Sequence, residues 1–153
     1  MAHLVKLWSD DGDYVAVPTV TFDVGPKFQT HPDDISLVNH LLRLIYSHQP
    51  AASWPTKSLP PKNGHFTKVT SAFVKDWNAN AMNFEVAGDI LGPVPPTNAL
   101  NYSCSVYTMA SLARAAVMLM SSDGDPDDPW ITLVGELKKM PLLAHLDRRI
   151  ISP

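Results

Sequence analysis

Apolar residues recur at helical spacing along most of the chain and crowd into β-rich runs only near its start. Ile35, Val38, Leu42 and Ile45 mark the first helix, and Leu41 and Leu44 widen its stripe until it is too broad for a surface helix. Val69, Phe73 and Trp77 fall at i, i+4 and i+8 on a second. Val106, Met109, Ala110, Ala113, Val117 and Met120 give the cleanest period, with alanines that permit close helix approach. Trp130, Val134 and Leu137 predict a fourth helix, and Leu142, Leu143, Leu146 and Ile150 a short last one. Before all of these, Leu4 to Val24 reads as extended: Tyr14 to Val17 and Thr19 to Phe22 are β-branched and aromatic. Asp10-Asp11-Gly12-Asp13 separates them from Leu4 to Trp8 as a hairpin turn does, which predicts a small sheet or β-arm. The expected fold is mainly α, a five-helix array with a short N-terminal β-arm (1–24), a helical core (25–120) and additional C-terminal helices (121–153).

Polar punctuation sets the helix ends. Thr30 and Asp33 have capping-box spacing, and Pro32 suits a first turn, where a missing N–H costs nothing. Residues 49–62 form a loop carrying Pro50, Pro55, Pro60 and Pro61 around an isolated Trp54, and Asn63-Gly64 then makes a turn. Phe66 is expected to point inward and Thr67 to cap the second helix. Residues 88–98 read as a second linker, Ser105 as the third helix's cap, and Asp128-Pro129 as the N-cap and first-turn pair of the fourth.

The 153 residues fit one domain with one core. Twelve Lys and Arg against fifteen Asp and Glu give a formal net charge of −3, with no basic stripe for a phosphate backbone, so nucleic acid ranks low among partners. The start, Met1-Ala2-His3-Leu4-Val5-Lys6, lacks the order of a signal peptide, and the apolar stretch around Ala113 to Met120 is too short for a membrane span. The expectation is a cytoplasmic chain without membrane insertion, which another system delivers if it acts at the cell wall.

Chemistry-bearing residues form no catalytic set. Asp123, Asp125 and Asp127 imitate the start of a calcium loop, but Asp128 stands where its glycine belongs and Val134 where its glutamate does. A solvated turn ending in a cap accounts for that run. The histidines lack tight metal spacing, and a site built from His31 and Asp33 competes with simple helix capping. Cys104, the one cysteine, allows no intrachain disulfide and reads as a small buried residue. Glu85 and Glu136 are the two glutamates, and no motif pairs them; Asn101-Tyr102-Ser103 matches a glycosylation acceptor by spacing alone. No cofactor or metal is expected.

Two segments together resemble the peptidoglycan-binding-domain-like family of three-helix modules. Asp34-Ile35-Ser36-Leu37-Val38-Asn39-His40-Leu41-Leu42 is similar to that family's Asp-Val-x-x-Leu-Gln-x-x-Leu helix. Asn63-Gly64-His65-Phe66-Thr67-Lys68-Val69-Thr70-Ser71-Ala72-Phe73-Val74-Lys75-Asp76-Trp77-Asn78 is similar to its Asp-Gly-x-Phe-Gly-x-x-Thr-x-x-Ala-Val-x-x-Phe-Gln segment. Thr67 stands in place of a glycine, Trp77-Asn78 in place of Phe-Gln, and 49–59 reads as an insertion. The resemblance spans roughly 24–120 and implies a non-catalytic binding module for cell-wall glycan or stem peptide, of bacterial or phage origin. Its groove is expected beside the Asn63 turn, with Trp54, Asn63, His65 and Asn78 as ligand-binding candidates. An aromatic face with a few placed polar groups suits a sugar. The competing expectation is a protein–protein adaptor or a structural part of a phage or secretion assembly, whose N-terminal arm adds a strand to a partner.

Overall fold

A computed structural model describes residues 1–8, 14–21, 23–27, 31–81, 88, 90–92, 108–122 and 128–151. β1 (His3–Trp8) and β2 (Tyr14–Thr19) are antiparallel, with His3 opposite Thr19 and Trp8 opposite Tyr14. A third strand, β3 (Ile150–Ile151), pairs in parallel with Leu4 and Val5, so β1 is central in the order β2-β1-β3. The described residues also form four α-helices: α1 (Pro32–Tyr46), α2 (Lys68–Asn80), α3 (Thr108–Ser122) and α4 (Pro129–Lys138). The mainly helical architecture expected from periodicity is present.

α1 is the core element that the breadth of its stripe predicts. Ile35, Leu37, Val38, Leu41, Leu42 and Ile45 are buried, and α3 packs against it through a face rich in small residues, with Met109, Ala110, Leu112, Ala113, Ala116 and Val117 all buried. α3 also meets α4 and β2. On α2 the buried face is Thr70, Phe73, Val74, Trp77 and Asn78, while Val69 is half-buried at its edge. The caps follow local chemistry. Thr67 Oγ1 accepts from the Thr70 amide and Thr70 Oγ1 accepts from the Thr67 amide, both at 3.2 Å, a reciprocal box built from two threonines. Asp128 Oδ1 accepts from the Trp130 amide at 2.9 Å and Pro129 follows at the first helical position.

Of the small sheet or β-arm expected at the N-terminus, the sheet is what forms: Ala2, Leu4, Val5, Val17 and Val20 are buried in the common core, and β2 packs on α3 and α4, so the strands do not extend as an arm. Two other expectations are corrected. The N-cap of α1 falls one residue after the position that the capping-box spacing marks. It is His31, without a side-chain cap bond, and Asp33 Oδ2 instead accepts from the Ala2 amide at 2.8 Å. A carboxylate at a helix N-terminus that can reach a second chain segment satisfies two elements at once. The last predicted helix is replaced by two 3₁₀ turns, Pro141–Leu143 and Leu146–Arg148, and then β3. Leu143 and Leu146 do fill the core, but Pro141 restarts the backbone and β-branched Ile150 and Ile151 suit the edge of β1. Thr30, the 10–13 turn, Glu85, Asn101 to Ser103, Cys104, Ser105 and Asp123 to Asp127 lie outside the described residues.

Burial also sets the response to acid. His3 and His40 are both held below the ordinary histidine value, chiefly because burial disfavours their charged forms. The fold therefore favours the neutral rings. That contribution is present above the unfolded value near 6.5 and is lost as the pH falls through the lowered ones. Asp34 runs the other way: burial raises its carboxyl, so its contribution is present in acid and fades as the pH rises through the raised value. Urea midpoints at pH 7 and pH 5.5 check the histidine sign. We expect the midpoint to drop in the wild type and to drop less in His40→Gln.

Candidate binding site

The return loop from α1 to α2 is held along α1 by side chains at successive turns. Trp54 Nε1 donates to the Tyr46 carbonyl at 2.8 Å, Arg43 Nη1 donates to the Pro60 carbonyl at 2.6 Å, and Asn39 Nδ2 donates to the carbonyls of Asn63 and His65 at 2.9 and 3.0 Å. Going from 46 to 43 to 39, the partners advance from 54 to 60 to 63 and 65, so the loop runs back alongside the helix that precedes it. Its prolines lack amide donors but keep their carbonyls, which is the half of the backbone that Arg43 uses. The Asn39 Oδ1 atom accepts from Thr70 Oγ1 at 2.8 Å, fixing the start of α2 to the same point.

This arrangement separates the four residues expected to form one groove. Asn63 and His65 lie exposed at the turn beside Asn39; Asn63 Oδ1 accepts from the His65 amide at 3.0 Å and shapes that turn. Trp54 is seven residues farther along α1, roughly 10 Å at the α-helical rise. Its ring is half-buried against the core and its one donor is used. Trp54→Ala is expected to lower stability by about 1–2 kcal/mol through that hydrogen bond and the covered ring area, and Trp54→Phe to recover part of it in thermal melts. Asn78 is buried, and its Nδ2 donates to the Gly88 and Ile90 carbonyls at 2.8 and 3.2 Å. It pins the segment whose Leu91 bridges Val24 by two 2.9 Å backbone bonds.

A cleft of about 340 Å³ opens where α1 and α2 end beside the Trp54 loop, lined by Tyr46, Gln49, Ser53, Asp76, Trp77, Asn80 and Ala81. Sequence reading missed most of these because helix ends and a loop carry no period. Asp76 is the hub. Its Oδ2 accepts from the Tyr46 hydroxyl at 2.6 Å and its Oδ1 from Asn80 Nδ2 at 2.9 Å. Burial, and then the bond to Asp76, hold the Tyr46 phenol far above its ordinary value, so it stays a donor throughout the physiological range. The Tyr46 ring meets Phe73 edge-on at 4.8 Å, which fixes the hydroxyl's direction. Gln49 and Ser53 are exposed at the rim.

A second, more apolar cleft of about 280 Å³ lies between the sheet and α4, lined by Leu4, Lys6, Val15, Ala16, Trp130, Val134 and the exposed Ile131, with Asp128 at its edge. At the opposite end of α1, His145 Nε2 lies 3.3 Å from Asp33 Oδ2, near enough to pair when protonated but out of line for a hydrogen bond. Asp33 thus faces His145 and the Ala2 amide, in place of the site with His31 that the sequence suggests. Glu136 pairs with Lys139. Among the described residues, no group of three or more His, Cys, Asp or Glu could hold a metal, and no helix is long and apolar enough to cross a membrane.

No family model, curated protein or solved structure matches this chain.

Proposed function

We propose that the chain is a non-catalytic binding module that holds a cell-wall glycan or stem peptide in the cleft between the ends of α1 and α2. The observation that carries this reading is the lining of that cleft: Tyr46 and Trp77 border it together with a carboxylate, two amides and a hydroxyl, around about 340 Å³. Apolar walls with a few convergent polar groups suit a small polar ligand, and aromatic residues beside amides suit sugar in particular. The resemblance of 34–42 and 63–78 to peptidoglycan-binding-like modules points to the same ligand class. The site is moved from the Asn63 turn to the far end of the same two helices, because Trp54 and Asn78 are engaged in holding backbone. Co-sedimentation with insoluble peptidoglycan sacculi across a salt series tests it. Saturable, salt-resistant binding that weakens in Gln49→Ala at an unchanged thermal midpoint is expected. Binding that vanishes with modest salt reflects screened charge alone and sinks the reading.

A second reading, a protein–protein adaptor or part of a larger assembly, is supported by Ile131, which is 71% exposed beside the apolar cleft on α4. Ile131→Glu leaves the α1–α2 cleft intact. Loss of a partner or of self-association in that variant, with no sacculus binding in the wild type, would favour it.

A further inference from the structure

We infer that the cleft at the ends of α1 and α2 takes its ligand by a primary ammonium group, with Asp76 as the counter-charge. This deepens the wall-binding reading and rests on it for the source of the ligand. Asp76 is half-buried, and its two oxygens are aimed by neutral donors, the Tyr46 hydroxyl at 2.6 Å and the Asn80 amide at 2.9 Å. Neither donor neutralises the charge. Among the described residues, no lysine, arginine or histidine lines the cleft. Asp76 makes no ion pair among the described residues, although Asp147 and Glu136, both more open to solvent, have lysine partners. Each Asp76 oxygen keeps a further acceptor direction after its one bond. Two aromatic residues, Tyr46 and Trp77, line the same space, and π-systems beside a carboxylate complement a cation. An anionic ligand would meet an unneutralised carboxylate here. A ligand with hydroxyls alone would leave that charge uncompensated on desolvation. A protonated amine satisfies it by a charge-assisted hydrogen bond.

In a cell wall the amine belongs either to de-N-acetylated glucosamine or to a diamino acid of the stem peptide, and the experiment separates the two. Wild type and Asp76→Asn, which keeps an oxygen acceptor for Tyr46, are titrated against native sacculi and against sacculi whose free amines have been acetylated. A glucosamine oligomer and a short peptide with a free lysine amine serve as soluble probes. The expected result is wild-type binding to native sacculi roughly 10- to 100-fold tighter than to acetylated sacculi, the range that one charge-assisted hydrogen bond provides. Asp76→Asn is expected to bind both weakly and alike. Preference for one soluble probe then names the source. Equal wild-type binding to native and acetylated sacculi would overturn the ammonium inference while leaving wall binding in place. An equal loss on acetylation in both proteins would also overturn it, since the chain's net negative charge, not Asp76, would be sensing the amine. If neither sacculus preparation binds, the wall reading fails. The soluble probes then decide alone: a wild-type preference for either over its acetylated form, absent in Asp76→Asn, keeps the inference, and no preference ends it. Circular dichroism of Asp76→Asn confirms that the folded protein is being compared.

Discussion

Replacing Asn39 with alanine is expected to destabilise the protein by about 3 kcal/mol, among the larger effects of a single polar substitution. Asn39 is fully buried in the middle of α1, and its amide makes three bonds: to the Asn63 carbonyl, the His65 carbonyl and the Thr70 hydroxyl. Alanine removes all three at once. The Thr70 hydroxyl, itself buried, loses its acceptor while it remains tied into the cap of α2, and the two turn carbonyls lose the donor that holds them. The cost is therefore that of leaving groups unmatched in a dry place as well as of the bonds themselves. In a chain of this size the thermal midpoint should fall by about 10 °C. Asn39→Asp is expected to be no better than alanine, because it keeps the acceptor for Thr70 but presents an oxygen to two carbonyl oxygens. A thermal melt of the two variants beside wild type checks both statements. If Asn39→Ala melts within two degrees of wild type, the loop is held by its prolines and not by α1.

Asn39 also shows how far the sequence could be read. α1, α3 and α4 follow directly from apolar spacing, and the caps at Thr67 and Asp128 from residue type, because periodicity and capping are local. The sequence also carried a warning at Asn39: it lies four residues after Ile35 and three before Leu42, on a face otherwise apolar. A polar residue in that place needs a buried partner, but nothing local says that the partner is a turn 24 residues away. The same limit explains the candidate site. Trp54 drew notice as a large ring in a proline-rich loop, and its ring and indole nitrogen are occupied by α1. No motif or period marks Asp76 in the sequence, and only the return of the chain beside Tyr46 makes it the centre of a cleft. The corrected C-terminus is a case of tertiary pairing overriding a weak helical pattern: Ile150 and Ile151 have the free edge of β1 within reach.

Gly64→Ala and Gly135→Ala are expected to move stability in opposite directions, although the chemical change is the same. A Cβ on Gly64 would stand 2.5 Å from the Pro32 carbonyl oxygen, 2.7 Å from the Pro32 Cβ and 2.9 Å from its carbonyl carbon. These atoms belong to the first residue of α1, so no flexible side chain can give way. Either the helix start moves or the turn does. The helix start carries Asp33, bonded to the Ala2 amide, and Asp34, which accepts from the Thr21 amide at 3.4 Å; the turn carries the two carbonyls that Asn39 holds. Displacing either loosens bonds that join distant segments, and the expected cost is about 2–3 kcal/mol. Gly135 lies inside α4 with nothing within 4 Å of the added carbon. There alanine restricts the unfolded chain and improves helix propensity, for an expected gain of about 0.5–1 kcal/mol. Urea denaturation of the two variants and wild type measures both. A Gly64→Ala protein as stable as wild type would mean that the approach of the turn to Pro32 is looser than this geometry. A destabilised Gly135→Ala protein would mean that the outer face of α4 is covered by a partner in the assembled state.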